Sequence, residues 1–468
     1  MIKILIHTDS VLLPSGLAET TRAIFETLLD KYPGQYYLHQ LGWFHHAAGR
    51  GVTTARWPIV PTRVVNGKPD DRDRYGQLSF PSLVKAVKPH IVFAYGDLWC
   101  WDHVLDSAVR NQFKLVLYYT VDGQPYFGHL EPDGSTHWGR LLSRADYLVT
   151  LSKWGLDILK DGCPEIKDTP ATWLYHPIDP ERFRPLPIGA KEEVRRRILG
   201  TKYRGQFVVG WVGRNQFRKQ NHKLWETLHY LVHGDWIKCN DCGRVTVMEW
   251  DHTRRKQKDP QELIKYDKGY DYSHCWYCKS KNIEKGKPYD VLLALHMPKG
   301  DPSWNPDLMA RIWKVENNVV FTTIHEQHRQ LLPNQMHEVY NSFDVMFYPS
   351  GGEGFGNPVA EAMACEIPVV FSDYSSHAEF AKYGGLPVRL ESMQPELHHG
   401  IYRAVIDTGD AVNKLVQLIG NKKQRAELGQ RGREYIKQFN KEVMVESWHK
   451  IFQEVMQTEN NKLYLATA

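Results

Sequence analysis

Nine short, nearly continuous apolar runs punctuate this chain, at 3–8, 90–97, 114–120, 146–152, 207–213, 290–297, 318–324, 344–350 and 367–373, with helix-length amphipathic stretches between them. Strands apolar along their whole length are buried on both faces. In alternation with helices they build parallel sheets covered on each side, so the chain reads as α/β throughout. At 468 residues it is too long for one core. The break is expected in HPIDPERFRPLPIGA (176–190), where four prolines interrupt both periodicities before a new helix and strand begin. The expected units are an N-terminal domain over 1–185 and a C-terminal domain over 205–435. A terminal helix over 436–468, with apolar residues at helical spacing from Val443 to Val455, is expected to cross back to the first domain.

The longest apolar runs, such as that at 114–121, fall far short of the ~20 residues a membrane-spanning helix needs. His7 and Asp9 follow the first apolar stretch at once, so MIKILIHTDS reads as a first strand and not a secretory signal, which places the chain in the cytoplasm. The odd cysteine count, seven, argues against an extracellular disulfide framework. Net charge is +5, and it is uneven: residues 236–287 carry twelve Lys/Arg against eight Asp/Glu, leaving +1 for the rest of the chain.

That segment also holds Cys239-x2-Cys242 and Cys275-x2-Cys278. Four thiolates in two tight turns complete a closed tetrahedral zinc site, structural and not catalytic, so 236–287 is read as a zinc ribbon inserted in the second domain. Two redox pairs are the other reading. Basic and aromatic side chains alternate across the insert: Trp236, Arg244, Trp250, Arg254, Arg255, Lys256, Lys258, Tyr266, Tyr270, Tyr272, Trp276, Tyr277, Lys279 and Lys281. Such a mixture suits phosphates and stacked bases, although four thiolates around zinc remove about two units of the positive charge. A brace or a protein contact is the competing use.

The richest chemistry lies in DVMFYPSGGEGFGNPVAEAMACEIPVVFSD (344–373), a strand, a glycine turn, a helix and a strand. Gly351, Gly352, Gly354 and Gly356 permit left-handed backbone and close approach to a ligand, and the turn delivers unpaired amides at a helix start, an anion site. Glu353 and Glu361, eight apart, are placed to grip different parts of one extended ligand, each as an acceptor for paired hydroxyls. Upstream, WVGRNQFRK (211–219) ends a buried strand at Gly213 and sets Arg214, Arg218 and Lys219 at the strand edge where such sheets bind ligands. Arg218 reads equally as the solvated start of a helix.

These residues together resemble a known family, the retaining nucleotide-sugar glycosyltransferases of family 4, built as two facing Rossmann-like domains (the GT-B architecture). Glu353 to Glu361 is similar to the family's E-x7-E signature, and Gly213-Arg214 with Lys219 to its diphosphate-binding pair. HPIDPERFRP (176–185) is similar to its interdomain segment, PSGLAET (14–20) to its early glycine loop, and LSKW (151–154) to one of its strand ends. The resemblance implies a nucleotide-diphosphate sugar as donor. Glu353 would hold the sugar, with the amides of Phe355, Gly356 and Asn357 around it and the distal phosphate, and Gly16 would face the phosphates. Glu361 would bind the ribose, while Arg214 and Lys219 would neutralise the departing diphosphate. Where many members carry a histidine after the fourth or fifth strand, this chain has Asp122; it and His103 are the remaining candidates for contact with sugar or acceptor. The family's same-face mechanism implies no obligatory base and no catalytic metal. Asp71-Arg-Asp73, similar to the D-x-D metal motif of another glycosyltransferase fold, reads as a solvated charge run.

With the basic-aromatic insert, the sharpest expectation for the acceptor is a 5-hydroxymethylated pyrimidine in DNA, as for base-modifying glycosyltransferases of viruses, which would act in host cytoplasm. The alternatives are a glycan or small hydroxylated acceptor with a structural insert, a zinc-ribbon binding module on an inactive glycosyltransferase fold, and a nucleotide-sugar epimerase. The histidines, His45-His46 and His325-x2-His328 among them, read as hydrogen-bonding groups and not metal ligands.

Overall fold

The computed structural model describes residues 1–468 apart from 14, 46–53, 67, 127, 188, 249–271, 299–302, 323–334, 397–399 and 459–468. The described N-terminal strands are β1 (Ile2–Asp9), β2 (Tyr36–Trp43), β3 (Ile59–Pro61), β4 (Val64–Val65), β5 (Lys68–Pro69), β6 (Ile91–Gly96), β7 (Lys114–Tyr119), β8 (Tyr147–Thr150) and β9 (Ala171–Trp173). Seven of them form one sheet, ordered β3-β2-β1-β6-β7-β8-β9, every pair parallel. The apolar runs explain it: β6 is buried at all six positions, and β7 at all but its first. The sequence reading did not single out β2, whose YYLHQLGW interleaves polar residues on a strand nearer the edge.

The second sheet begins after the proline-rich break. Its strands are β10 (Phe207–Val212), β14 (Val291–His296), β15 (Val319–Phe321), β16 (Val345–Tyr348), β17 (Val369–Ser372) and β18 (Gly385–Val388). The order is β15-β14-β10-β16-β17-β18, again parallel. Between β10 and β14 lie β11 (Trp236–Cys239), β12 (Val245–Val247) and β13 (Ile283–Lys285), a small antiparallel sheet with β11 in the middle. After β18 comes an antiparallel hairpin, β19 (Leu390–Glu396) and β20 (Ile401–Ile406).

Both sheets reverse direction of growth at a central strand. β1 is flanked by β2 and β6, and β10 by β14 and β16. At such a switch point the connections leave on opposite faces and open a crevice at the carboxyl ends of the strands. The loops after β10 and β16 meet there, and so do the loops after β1 and β6. The Lys441–Gln457 helix lies against the first sheet, with the Trp448 ring edge-on to Phe93 (5.2 Å) and Tyr118 (5.0 Å) and Tyr36 hydrogen-bonded to His449 (2.7 Å).

Among the described residues no helix is long and apolar enough to cross a membrane. Asp73 corrects the solvated-run reading of 71–73. It is fully buried, and its carboxylate takes the amides of Arg63 (2.8 Å), Leu78 (2.7 Å) and Ser79 (2.9 Å) and the Ser79 hydroxyl, ordering the loop around it. An acidic side chain with that many local donors is a loop organiser, which the spacing alone did not show.

Candidate functional site

The turn between β16 and the Asn357–Ala364 helix carries Glu353, which is 5% exposed. One carboxylate oxygen takes Lys219 Nζ (2.6 Å), the Tyr348 hydroxyl (2.9 Å) and the Ser350 hydroxyl (2.6 Å), and the other faces Arg218 Nη1 (3.0 Å). Its own amide donates to Ser375 Oγ (2.9 Å). Burial alone would raise its pKa, but the Arg218 and Lys219 cations and these hydrogen bonds win and hold it well below the usual carboxylate range. For Lys219 the balance goes the other way: burial lowers it to about 8 despite Glu353. Each residue arrives from a different side of the switch point, Lys219 from the Phe217–Lys219 turn after β10 and Glu353 from the turn after β16.

The glycines serve a narrower purpose than the sequence suggested. Gly356, at φ 100°, is the member of the four with left-handed backbone, and it begins the helix. Gly352 is required for a different reason: a Cβ there would sit 2.0 Å from the Asp122 carbonyl oxygen, so the turn lies directly on the N-terminal loop after β7.

Asp122 meets the second domain twice. Oδ1 is 3.1 Å from Arg403 Nη1, and Oδ2 is 3.8 Å from Arg218 Nε. Arg403 in turn pairs with Glu396 (2.5 Å) across the β19–β20 hairpin. Charges of alternating sign therefore run from Lys219 through Glu353, Arg218, Asp122 and Arg403 to Glu396, crossing the seam between the domains. From sequence alone Arg218 reads equally as a solvated helix start, and Arg403 lies in no motif. The hairpin that presents Arg403 has no strong apolar period, with β19 largely exposed.

Glu361 lies in the same helix as Asn357 and accepts the Tyr340 hydroxyl. Burial raises its pKa to about 7, against that hydrogen bond. Across the seam, the Gly16 α-carbon faces Asn357, with only 3.2 Å from an added Cβ to Nδ2. The side-chain oxygen of Asn357 bonds His176 Nδ1 (2.7 Å), and His176 Nε2 bonds the Tyr95 hydroxyl (2.7 Å). His176 was legible only as part of a proline-rich connector. Phe355 is buried against His176 (4.8 Å) and Phe380 (4.9 Å). Arg214 is exposed, two residues past the end of β10. His103 stands apart: its ring packs on His7 (5.4 Å) and Phe80 (5.9 Å) in an aromatic cluster on the first sheet, and none of its described contacts is with Glu353 or Lys219.

The four paired cysteines converge. Cys239 and Cys278 sulfurs are 3.5 Å apart, Cys242 and Cys275 sulfurs 3.6 Å, and all four lie within 4.8 Å of one another. A tetrahedron of Zn–S bonds of about 2.3 Å has edges of about 3.8 Å, so the thiol set fits that ion. The ribbon is docked on its own domain: Trp236, Ile237 and Val245 are buried, and the Val245 carbonyl approaches Gly409 at the start of the Thr408–Gly420 helix. The Arg244 guanidinium covers the Tyr277 ring at 4.2 Å. Trp250, Arg254, Arg255, Lys256, Lys258, Tyr266 and Tyr270, like His46, His325 and His328, lie outside the described residues.

Comparison with known proteins places the fold. Residues 295–421 match the family model described as glycosyl transferases group 1. An uncharacterised glycosyltransferase of Methanocaldococcus jannaschii is 28% identical over 146 residues, which are 30% of this chain and 37% of that protein. The fold is shared along nearly the whole length. Sucrose-phosphate synthase of Thermosynechococcus elongatus aligns with a TM-score of 0.65 at 13% identity, over 97% of this chain and 99% of that one. HepE of Anabaena, solved with UDP and glucose, aligns with 0.61 at 14% identity, over 97% and 100%. WaaG, a glycosyltransferase of lipopolysaccharide biosynthesis, aligns with 0.59 at 12% identity, over 96% and 99%. Two α/β domains with parallel sheets, meeting at the carboxyl ends of their strands, give this chain the GT-B fold of the glycosyltransferases it resembles.

Proposed function

We propose that the protein is a retaining glycosyltransferase that moves a sugar from a nucleotide-diphosphate sugar to a hydroxyl acceptor. The observation that carries this reading is the buried Glu353–Lys219 pair at the switch point of the second sheet, with Glu361 eight residues on in the helix that the glycine turn opens. The group 1 family match over that segment and the UDP and glucose in the HepE structure point the same way. The division into 1–185 and 205–435 belongs to the same reading, with the donor on the second unit.

In this reading Glu353 accepts donor-sugar hydroxyls in exchange for part of its present hydrogen bonding, and Glu361 accepts those of the ribose. The bond from the anomeric carbon to the diphosphate breaks, a bond to the acceptor oxygen forms on the same face, and the acceptor proton passes to the departing phosphate. Negative charge grows on the diphosphate, and Lys219 and Arg214 oppose it, aided by the amides of Gly356 and Asn357 at the helix start and by the loop at Gly16. Asp122 acts through Arg218 and Arg403, positioning the seam. His103, packed on His7 and Phe80, supports the N-terminal sheet. The four cysteines would hold a zinc ion, which would brace the ribbon against the Thr408–Gly420 helix and take no part in the chemistry.

The acceptor is open to direct test. A DNA base bearing a hydroxymethyl group rests on the basic and aromatic composition of the insert, and the glycan alternative on the docking of the ribbon upon its own domain. Radiolabel transfer from a panel of nucleotide sugars to 5-hydroxymethylated DNA, unmodified DNA and simple glycans separates them. Label in the modified DNA alone establishes the first, and label only in glycans the second.

A further inference from the structure

The β19–β20 hairpin reaches from the second domain onto the first. The Tyr402 amide donates to the Gln124 carbonyl (2.7 Å), the Tyr374 hydroxyl donates to the Tyr402 carbonyl (2.9 Å), and the Gln124 amide donates to Tyr374 Oη (3.2 Å). Successive residues of a strand point to opposite faces. Arg403 accordingly faces Asp122, while Tyr402 turns to the other side and stays 44% exposed. On that side, between hairpin and N-terminal domain, is a cavity of about 480 Å3 lined by Gln124, Pro125, Ile158, Asp161, Met393 and Tyr402. Small-molecule sites usually occupy about 300–1,000 Å3.

Three features of the cavity narrow its occupant. Its walls come from both domains, across the same seam at which Asp122 meets Arg218. It lies close to the charge network, because Gln124 is two residues from Asp122, at most about 7 Å along the chain. Its lining is a phenol ring with three apolar neighbours, one amide and one carboxylate. Among the described lining residues Asp161 is the charged group, and it is an anion. A phosphate or a nucleic-acid backbone needs cations. The apolar face of a pyranose needs a ring to stack on, and its hydroxyls need acceptors such as Asp161 and the Gln124 side chain.

We propose that this cavity binds a distal ring of a neutral saccharide acceptor, holding the chain while its reacting hydroxyl lies on the Asp122 side of the hairpin. The proposal rests on the glycosyl-transfer reading and names the acceptor class for it.

Saturation-transfer difference NMR on the full-length protein tests it, with methyl α-D-glucopyranoside, methyl β-D-galactopyranoside and maltotriose as probes and glucose 6-phosphate as the charged comparison. At least one neutral probe should be saturated, glucose 6-phosphate should give the weaker signal, and the neutral signal should fall at least fivefold in Tyr402→Ala and, independently, in Asp161→Ala. Tyr402 joins Gln124 through its main chain, so truncation of the ring keeps that bridge. No neutral binding, binding indifferent to both substitutions, or stronger binding of the phosphate ester would each overturn the proposal. Release of UDP from UDP-sugars by the unaltered protein is read separately. Release with Tyr402-independent binding removes the subsite and leaves glycosyl transfer standing. No release of any nucleotide from a full donor panel, with Tyr402-dependent binding, keeps a saccharide site and overturns its role in transfer.

Discussion

Lys219 Nζ lies 2.6 Å from Oε1 of Glu353, and the two residues are only 6% and 5% exposed. A buried pair of this kind is strong only while both partners are present, because removal of one strands the other in a medium that cannot solvate it. Here Glu353 is also the counter-ion of Arg218. Its replacement is therefore expected to have a structural effect as well as the catalytic one proposed above.

Glu353→Gln keeps the side chain's size and part of its hydrogen bonding, and is expected to lower transfer at least 100-fold while the protein stays folded. Glu353→Ala leaves two cations without their partner and is expected to cost about 3–5 kcal/mol of stability as well. Denaturant melts alongside turnover measurements distinguish the two effects.

Nucleotide affinity should depend on pH from both sides. In the role proposed for it, Glu361, raised to about 7 by burial, would accept ribose hydroxyls best when ionised, so affinity should rise as pH passes upward through 7. Lys219, lowered to about 8, loses its charge above that value, and affinity for UDP should fall again. Titration calorimetry should show a maximum between about pH 7 and 8. In Glu361→Gln the acidic limb should be flat. For stability the sign of Glu361 is reversed. Its folded pKa lies above the ordinary 4.5, so its contribution is full below that value and is lost as pH rises through about 7.

Asp122→Asn should loosen the seam by discharging the residue between Arg218 and Arg403. Asp122 keeps some contact with water, so the expected cost is about 1–2 kcal/mol, less than for a fully buried pair. Transfer should fall about tenfold, and small-angle scattering should show a larger radius of gyration.

The four-cysteine cluster should carry about one zinc per chain by elemental analysis. Cys242→Ser should reduce that content and lower the melting temperature without changing UDP affinity.

The sheet strands were legible where both faces are buried. The apolar runs inside 207–213 and 344–350 became β10 and β16, neighbours at the switch point that carries the site. The paired cysteines were legible because their spacing is itself the constraint. The β19–β20 hairpin was not, since an exposed ribbon has little hydrophobic signal, and its partners Asp122 and Gln124 lie about 280 residues away in sequence. Arg218 was ambiguous for a similar reason: a cation after a strand reads the same whether it faces solvent or a buried Glu353. Asp73 was misread because a buried acidic cap and a solvated charge run share one composition.

Nucleotide release from a panel of nucleotide-diphosphate sugars, measured together with the anomeric configuration of any product, tests the central claim most directly. The expected result is turnover of one donor by the unaltered protein, retention of configuration, and near-complete loss in Glu353→Gln. Binding of nucleotide without consumption of any donor would contradict it, and would mark the fold as one that has kept the site and lost the reaction.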